Sequence, residues 1–466
     1  MGASTVPLPV GGGVRGSGLR AAAVVVDITP PAGHAMGGYL ARTLEATDTH
    51  DPLTASLVWI ADESGELLWV ALDALAVGAS TSERIRAGVG RAVGVDPDSI
   101  VVCASHTHAG PSGWLRPLYD GFPSTLDEVL VDVLVERVTA AAAGLRPVSV
   151  RPAWSVVGAV GVGTNRNDRS GPHDDSTGVL TLQSDAGPVA VLADYACHPT
   201  VLSHANRTYS ADYPGVARRV AAAALRTAGQ PAPVVAFLQG AAGDVSTRFT
   251  RRGQSFAEVD RLGGVVGAAI ARGALLGRDL SAGATAAARA DSCGGPGGEP
   301  GRAPGGWPGI GRVRRACVEL PTRTMPPIDQ LDRDLAVAER EWGAACDPAP
   351  PAARIARTRY EGARMLAALS AAELPPTLQL PISVVTLGEV AWVHLPVEPF
   401  ASYGAAIAAA SPYPATRVVG YSDGYFGYLA DAEAHAAGSY EARASLFDPA
   451  AGPLLVEAAI DLLNRR

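Results

Sequence analysis

Two histidines one residue apart, His106 and His108, close the apolar run of "VVCASHTHAG". Neutral imidazole nitrogens suit zinc (Zn2+), a borderline cation that takes nitrogen and oxygen donors. At i and i+2 of an extended chain the two rings would share one face. A hydrogen-bonded pair at a turn explains the same spacing, so H-x-H by itself leaves both readings open.

Other segments offer partners. "DYACHPTVLSHANRTYSADYPG" contributes His198, at a strand end before a proline, and His204, in a polar loop that reads as surface. Asp194 and Asp212 can each orient an imidazole from behind or be a solvated loop acid, and the second reading fits Asp194 better. "FLQGAAGDVSTR" puts Asp244 and Ser246 on a small-residue loop that a ligand could approach closely. Helix capping explains either residue equally well. "VHLPVEPF" sets Glu398 between a strand and a helix, as a metal ligand, a base, or a residue of the helix's first turn. Tyr425, Phe426 and Tyr428 read by default as core aromatics.

Some patterns are formal only. "GYSDG", Gly420 to Gly424, has the G-x-S-x-G form of a nucleophile elbow. That motif needs a helix after the turn and a histidine further on; "YFGYLAD" starts a helix poorly and His435 alone lies downstream. No HExxH helix and no lysine-bearing phosphate loop occurs. "GGGVRGSG" follows no strand, which rules out a dinucleotide fingerprint.

The elements that position these residues share one layout. His106 and His108, His198, Ser246 and Glu398 each follow an apolar strand where it gives way to a loop, the place where a rigid sheet holds reactive groups in register. "AAAVVVDITP" predicts a short buried strand, and "PVVAFLQG" another. "ASLVWIADESGELLWVALDAL", "GVLTLQSDAGPVAVLADYACHP" and "LQLPISVVTLGEVAWVHLPVEP" predict three hairpins. Helical spacing occurs in "SERIRAGVGRAVGV", in "TLDEVLVDVLVERVTAAAAGL" with Thr125 and Asp127 near its start, from Pro214, near Asp260 to Leu276, and in two charged helices over Pro327 to Leu369. Hairpins mixed with helices predict an α/β (α+β) fold, a mixed sheet core flanked by helices. No internal repeat is visible in the residues. The expected organisation is a disordered N-terminus over 1–18, one domain over 19–466, and a Gly/Pro-rich internal loop at 292–311.

Bulk properties narrow the partners. The 466 residues are 47% hydrophobic and 18% charged, with a formal net charge of −8 and no basic stripe, which argues against nucleic acid. No run of about 18 apolar residues predicts a membrane span. Five cysteines without a CxxC pair fit reduced thiols. The N-terminus lacks the apolar core of a signal peptide. A cytoplasmic location is expected, with a small-molecule or lipid-like partner; the oligomeric state is open.

Taken in order, "DITPP", "GGY", "ASHTHAGP", "NRNDRS", "ACHPT", "SADYPG", "AFLQGAAGDVS", "LPVEPF" and "GYLADAEAHAAGSYEA" resemble the catalytic domain of the neutral (non-lysosomal) ceramidases, from about residue 21 to 445. The resemblance implies a catalytic zinc held by His106, His198, Glu398 and Tyr428. It implies that His108, Arg166 and Tyr440 face the substrate and steady the oxyanion or leaving amine, with Ser246 beside the water or scissile amide. The implied activity is hydrolysis of a linear amide, in an N-acyl lipid or a smaller N-acylated metabolite, by a zinc-activated water. Departures from the family pattern are Val397 where glycine is common and Thr247-Arg248 where Pro-Asn is usual. Neither the export signal nor the C-terminal immunoglobulin-like domain of full ceramidases is expected here. A metal-dependent esterase or lactonase on the same site, and a non-catalytic binding protein, remain as alternatives.

Overall fold

The computed structural model describes residues 18–115, 118, 126–280, 309–311, 313–344, 351–371 and 374–465. Nearly all of the expected disordered N-terminus, most of the Gly/Pro-rich loop and Thr125 lie outside these residues.

Three sheets are built on one plan. The first has the order β4-β3-β2-β1-β5, from β1 (Arg20–Asp27), β2 (Thr54–Ala61), β3 (Glu66–Leu72), β4 (Ile100–Ala104) and β5 (Val148–Ser149). The second has the order β9-β8-β7-β6-β10, from β6 (Arg151–Val157), β7 (Thr177–Ser184), β8 (Gly187–Tyr195), β9 (Val234–Gln239) and β10 (Arg278–Asp279). The third has the order β14-β13-β12-β11, from β11 (Arg314–Pro321), β12 (Thr377–Leu387), β13 (Val390–His394) and β14 (Ala415–Val419). In each, a first strand pairs antiparallel with a second, which forms a hairpin with a third. A helix then crosses over, and a fourth strand pairs parallel with the third. The crossover helices are α1 (Ala79–Val93), α3 (Asp212–Ala224) and α7 (Ala401–Ala410), the reach a parallel connection requires.

The likeness extends further in the first two units. Helices α2 (Glu128–Ala142) and α4 (Phe256–Leu276) lead back to the two-residue strands β5 and β10, each antiparallel to its own unit's first strand. The fold thus carries an internal repeat that the residues do not display. In the third unit α5 (Ile328–Ala344) and α6 (Pro351–Ser370) are inserted between the first two strands, and the chain closes through α8 (Ala432–Ala437), α9 (Tyr440–Ala444) and α10 (Ala451–Asn464).

The inner strands are apolar on both faces because both are covered. From β3, Leu67, Trp69 and Ala71 enter a core shared by all three sheets, while Leu68, Val70 and Leu72 enter a second core under the helices. β4 does the same, with Val101 and Cys103 inward and Ile100, Val102 and Ala104 outward. At the centre Trp392 meets Trp69 and Trp154 edge-on, at ring separations of 5.6 and 5.5 Å.

Most predicted elements occur, with shifts of a few residues. Asp127 caps α2 by accepting from the Val129 and Leu130 amides at 3.0 and 3.2 Å. α4 starts at Phe256, earlier than Asp260, because Ser255 accepts from the Glu258 amide. Strands β6, β11 and β14 and the two-residue strands β5 and β10 were not among the expectations. Cys103, Cys197 and Cys317 are free, and no helix among the described residues is long and apolar enough to cross a membrane.

Asp194 is no solvated loop acid. It lies within β8, 2% exposed, and accepts from Arg417 Nε of β14 at 2.7 Å, joining the second and third sheets. Arg417→Met removes the cation and strands the carboxylate, so a loss of about 3–5 kcal/mol is expected, read as a fall in the urea midpoint.

Candidate metal centre

The parallel pairs of the three sheets end at one place. The Ala104 amide donates to Tyr421 O at 3.1 Å, the Gly420 amide to Gln239 O at 3.0 Å, and the Gly240 amide to Tyr195 O at 3.0 Å. These bonds stitch together the loops after β4, β8, β9 and β14. Ligand sites of α/β sheets form at such carboxyl ends, and the repeat supplies three of them.

Three imidazoles meet there: ligating nitrogens of His106, His108 and His198 all lie within 4.8 Å of one another, in a buried cluster able to hold a metal ion. The two rings of "HTH" do not meet by strand alternation. His106 leaves the strand at φ 66°, in the left-handed region unusual for a side-chain-bearing residue, and a turn brings Nε2 of His108 to 3.2 Å from Nε2 of His106. Such backbone strain collects at functional sites. Nδ1 of His106 bonds the Leu75 carbonyl at 2.7 Å, and Nδ1 of His198 bonds the Ala242 carbonyl at 2.6 Å. Carbonyls only accept, so both Nδ1 atoms carry protons, and in its neutral form each ring turns the lone pair of Nε2 toward the centre. Burial holds His198 down at about 4, in its neutral form, and pushes His108 well below the usual imidazole value.

Glu398 supplies the oxygen donor. Its Oε2 lies 3.3 Å from His106 Nε2 and 3.0 Å from His198 Nε2, with the carboxylate 1% exposed. Burial alone would raise its pKa, and its electrostatic and hydrogen-bond interactions with His106 and His198 draw it well below the ordinary range. Tyr425 donates to Oε1, and Tyr421 to Oε2 at 3.4 Å. A parallel two-residue ladder sets Glu398 opposite Tyr428. The Tyr428 ring stacks on His198 at 6.3 Å, and its hydroxyl accepts from Arg166 Nη2 at 3.1 Å. Burial pushes the phenol pKa up.

The remaining sequence candidates border the same space. Arg166 is anchored by Glu441 and the Gly243 carbonyl, both at 2.7 Å; Glu441 and Asn167, which also bond each other, were not singled out. Tyr440 meets the Tyr428 ring edge-on at 6.1 Å. Ser246, 4% exposed, accepts from the Arg248 amide at 3.2 Å. His108, Arg166, Ser246, Tyr428 and Tyr440 all line one cleft of about 740 Å³.

Others play different parts. Asp244 caps: its carboxylate accepts from the Ala401 amide at 2.8 Å, opening α7 from a distant loop, and from Asn165 at 2.7 Å. Burial raises its pKa to about 6. Asp212 bonds the Leu202 and Tyr213 amides, so backbone carbonyls, not Asp194 or Asp212, orient the imidazoles. His204 is half-buried on the cleft wall, with Arg357 at 3.4 Å. Ser422 bonds His394 at 3.1 Å, but both are 1% exposed and the Trp69 indole occupies the other ring nitrogen, so this pair is core structure. Tyr421 and Tyr425 had no signal in sequence, since their carboxylate partner lies more than twenty residues away.

Gly38 fixes His108 from outside. At φ 93°, a β-carbon there would stand 2.4 Å from His108 Nδ1. Gly38→Ala should cost about 2 kcal/mol through strain and overpacking, measured as a fall in Tm.

Residues 21–255, half of the chain, match the family described as neutral/alkaline non-lysosomal ceramidase, N-terminal. The fold resembles that of the neutral ceramidase from Pseudomonas aeruginosa, with a TM-score of 0.70 and 18% identity over 96% of this chain and 74% of that one. A second structure, a ceramidase complexed with C2, gives a TM-score of 0.68 and 17% identity over the same shares. None of the curated proteins compared matches. By its sequence match the chain belongs to the neutral/alkaline non-lysosomal ceramidase family, and it is a ceramidase-like hydrolase.

Proposed function

We propose that the chain is a zinc-dependent hydrolase that cleaves the linear amide of an N-acyl lipid or N-acylated small metabolite. One observation carries the reading: a buried carboxylate oxygen lies 3.0 and 3.3 Å from two imidazole nitrogens whose lone pairs face it. Ligands about 2 Å from a tetrahedral zinc stand about 3.3 Å apart, so the spacing suits that ion. His106, His198 and Glu398 would hold it, with Tyr428 as fourth ligand. Bound there, zinc supplies a Lewis acid and lowers the pKa of water to roughly 7.

The residues around it divide the remaining work. Arg166, fixed by Glu441 and Gly243, holds a guanidinium toward the oxygen that gains charge as the amide carbonyl becomes tetrahedral. Tyr440 adds a hydroxyl on the same side. His108 keeps a neutral ring in the cleft, and its buried Nδ1 has no hydrogen-bond partner among the described residues. The ring borders the cleft beside the metal site, where it can assist proton transfer to the leaving amine. Ser246 contacts the substrate from the loop after β9. The free thiols fit a reducing, cytoplasmic setting.

The purified protein should carry about one zinc per chain by elemental analysis. His198→Ala and Glu398→Gln should lose both the metal and amide hydrolysis. His108→Ala should keep the metal while kcat falls about 10²–10⁴-fold. A His198→Ala protein with stoichiometric zinc and full turnover would overturn the ligand set. Matched N-acyl and O-acyl compounds separate the amidase from an esterase on the same site.

A further inference from the structure

The cleft wall carries positive charge that the metal centre does not use. Among the described residues five arginines line it against two glutamates, and each glutamate already binds an arginine: Glu441 holds Arg166, and Glu361 holds Arg357 at 2.9 Å. The excess comes from one segment, "TRFTRRGQ", which supplies Arg248, Arg251 and Arg252.

Arg251 is held in place. It is half-buried and donates to the Thr200 carbonyl, a neutral partner that fixes the guanidinium without cancelling its charge. Buried Asp212 feels Arg251 through space, and Glu258, ion-paired to Arg261, takes the Arg252 backbone amide at 2.8 Å and feels its charge; neither Arg251 nor Arg252 has an ion-pair partner of its own among the described residues. A guanidinium fork of this kind matches carboxylate and phosphate oxygens, and a cleft lined by one sign of charge concentrates ligands of the other. Phe249 and Trp342 give the same cleft apolar surface beside the charges.

We infer that the substrate is an anionic amide, with a carboxylate or phosphate that Arg251 and Arg252 bind at the cleft wall while the amide reaches the buried centre. The cleavage half of this rests on the proposed hydrolase; recognition of the anion does not.

The test uses the full-length, zinc-loaded protein and three compounds with one acyl chain: N-dodecanoylglycine, N-dodecanoylethanolamine and O-phospho-N-dodecanoylethanolamine. The expected result is at least about tenfold higher kcat/KM for an anionic compound than for the neutral one, the scale of a charge-assisted contact. The better of the two anions tells carboxylate from phosphate. Arg251→Gln and Arg252→Gln should each shrink the anionic-to-neutral ratio several-fold, and so should raised salt. Should Arg251→Gln fold poorly, exposed Arg252 decides. Neutral amide hydrolysed as well as the anionic ones, or a ratio unmoved in the Arg252 variant, overturns the inference and leaves the hydrolase standing. If no compound is cleaved, the hydrolase reading falls, and calorimetric binding of the same compounds decides: tighter binding of an anion supports the inference, equal binding overturns it.

Discussion

The structure depends on a buried anion that has to be neutralised. Glu398 is almost fully removed from water, where an uncompensated carboxylate costs several kcal/mol or more. One of its oxygens faces two imidazoles already committed, through Nδ1, to backbone carbonyls of distant loops. Those carbonyls fix the tautomers and therefore the direction of the lone pairs. Tyr425 donates to the other oxygen of the carboxylate, and Tyr421 to the oxygen that faces the imidazoles. Every loop at the centre is thus held by a hydrogen bond that also sets the electronic state of a ligating group.

Repetition explains how so many loops reach one point. Each sheet ends in a parallel pair, and each pair releases two loops at its carboxyl end. His106 and His108 follow the fourth strand of the first unit, His198 the third strand of the second, Ser246 its fourth, and Glu398 and Tyr428 the third and fourth strands of the last. The shared tryptophan core holds the three units against one another. The buried Arg417–Asp194 pair ties the second to the third.

Much of this was legible in the residues. Three hairpins show in alternating apolar runs around short turns, and they are the second and third strands of the three sheets. The inner strands read as unbroken apolar stretches because both faces are covered, which is why "VVCA" runs straight into the histidines. β6 and β11 were harder to see: β11 is half-exposed along most of its length and mixes arginine, cysteine and glutamate. The repeat is invisible because it is a repeat of backbone pairing, which many sequences satisfy, and not of residue identity. At the site, histidine and glutamate could be picked out by chemical type. Glu441, Tyr421 and Tyr425 could not, since each acts on a partner distant in the chain.

One insertion has a wider meaning. Helices α5 and α6 interrupt the third unit between β11 and β12, and Trp342 and Arg357 on them form part of the cleft wall. Neither helix provides any of the histidines, the glutamate or the tyrosines of the centre. A change in this helical hairpin would alter the cleft wall at Trp342 and Arg357 without replacing any residue of the centre. This part of the cleft wall is therefore carried by a piece of chain separate from the one that holds the metal centre.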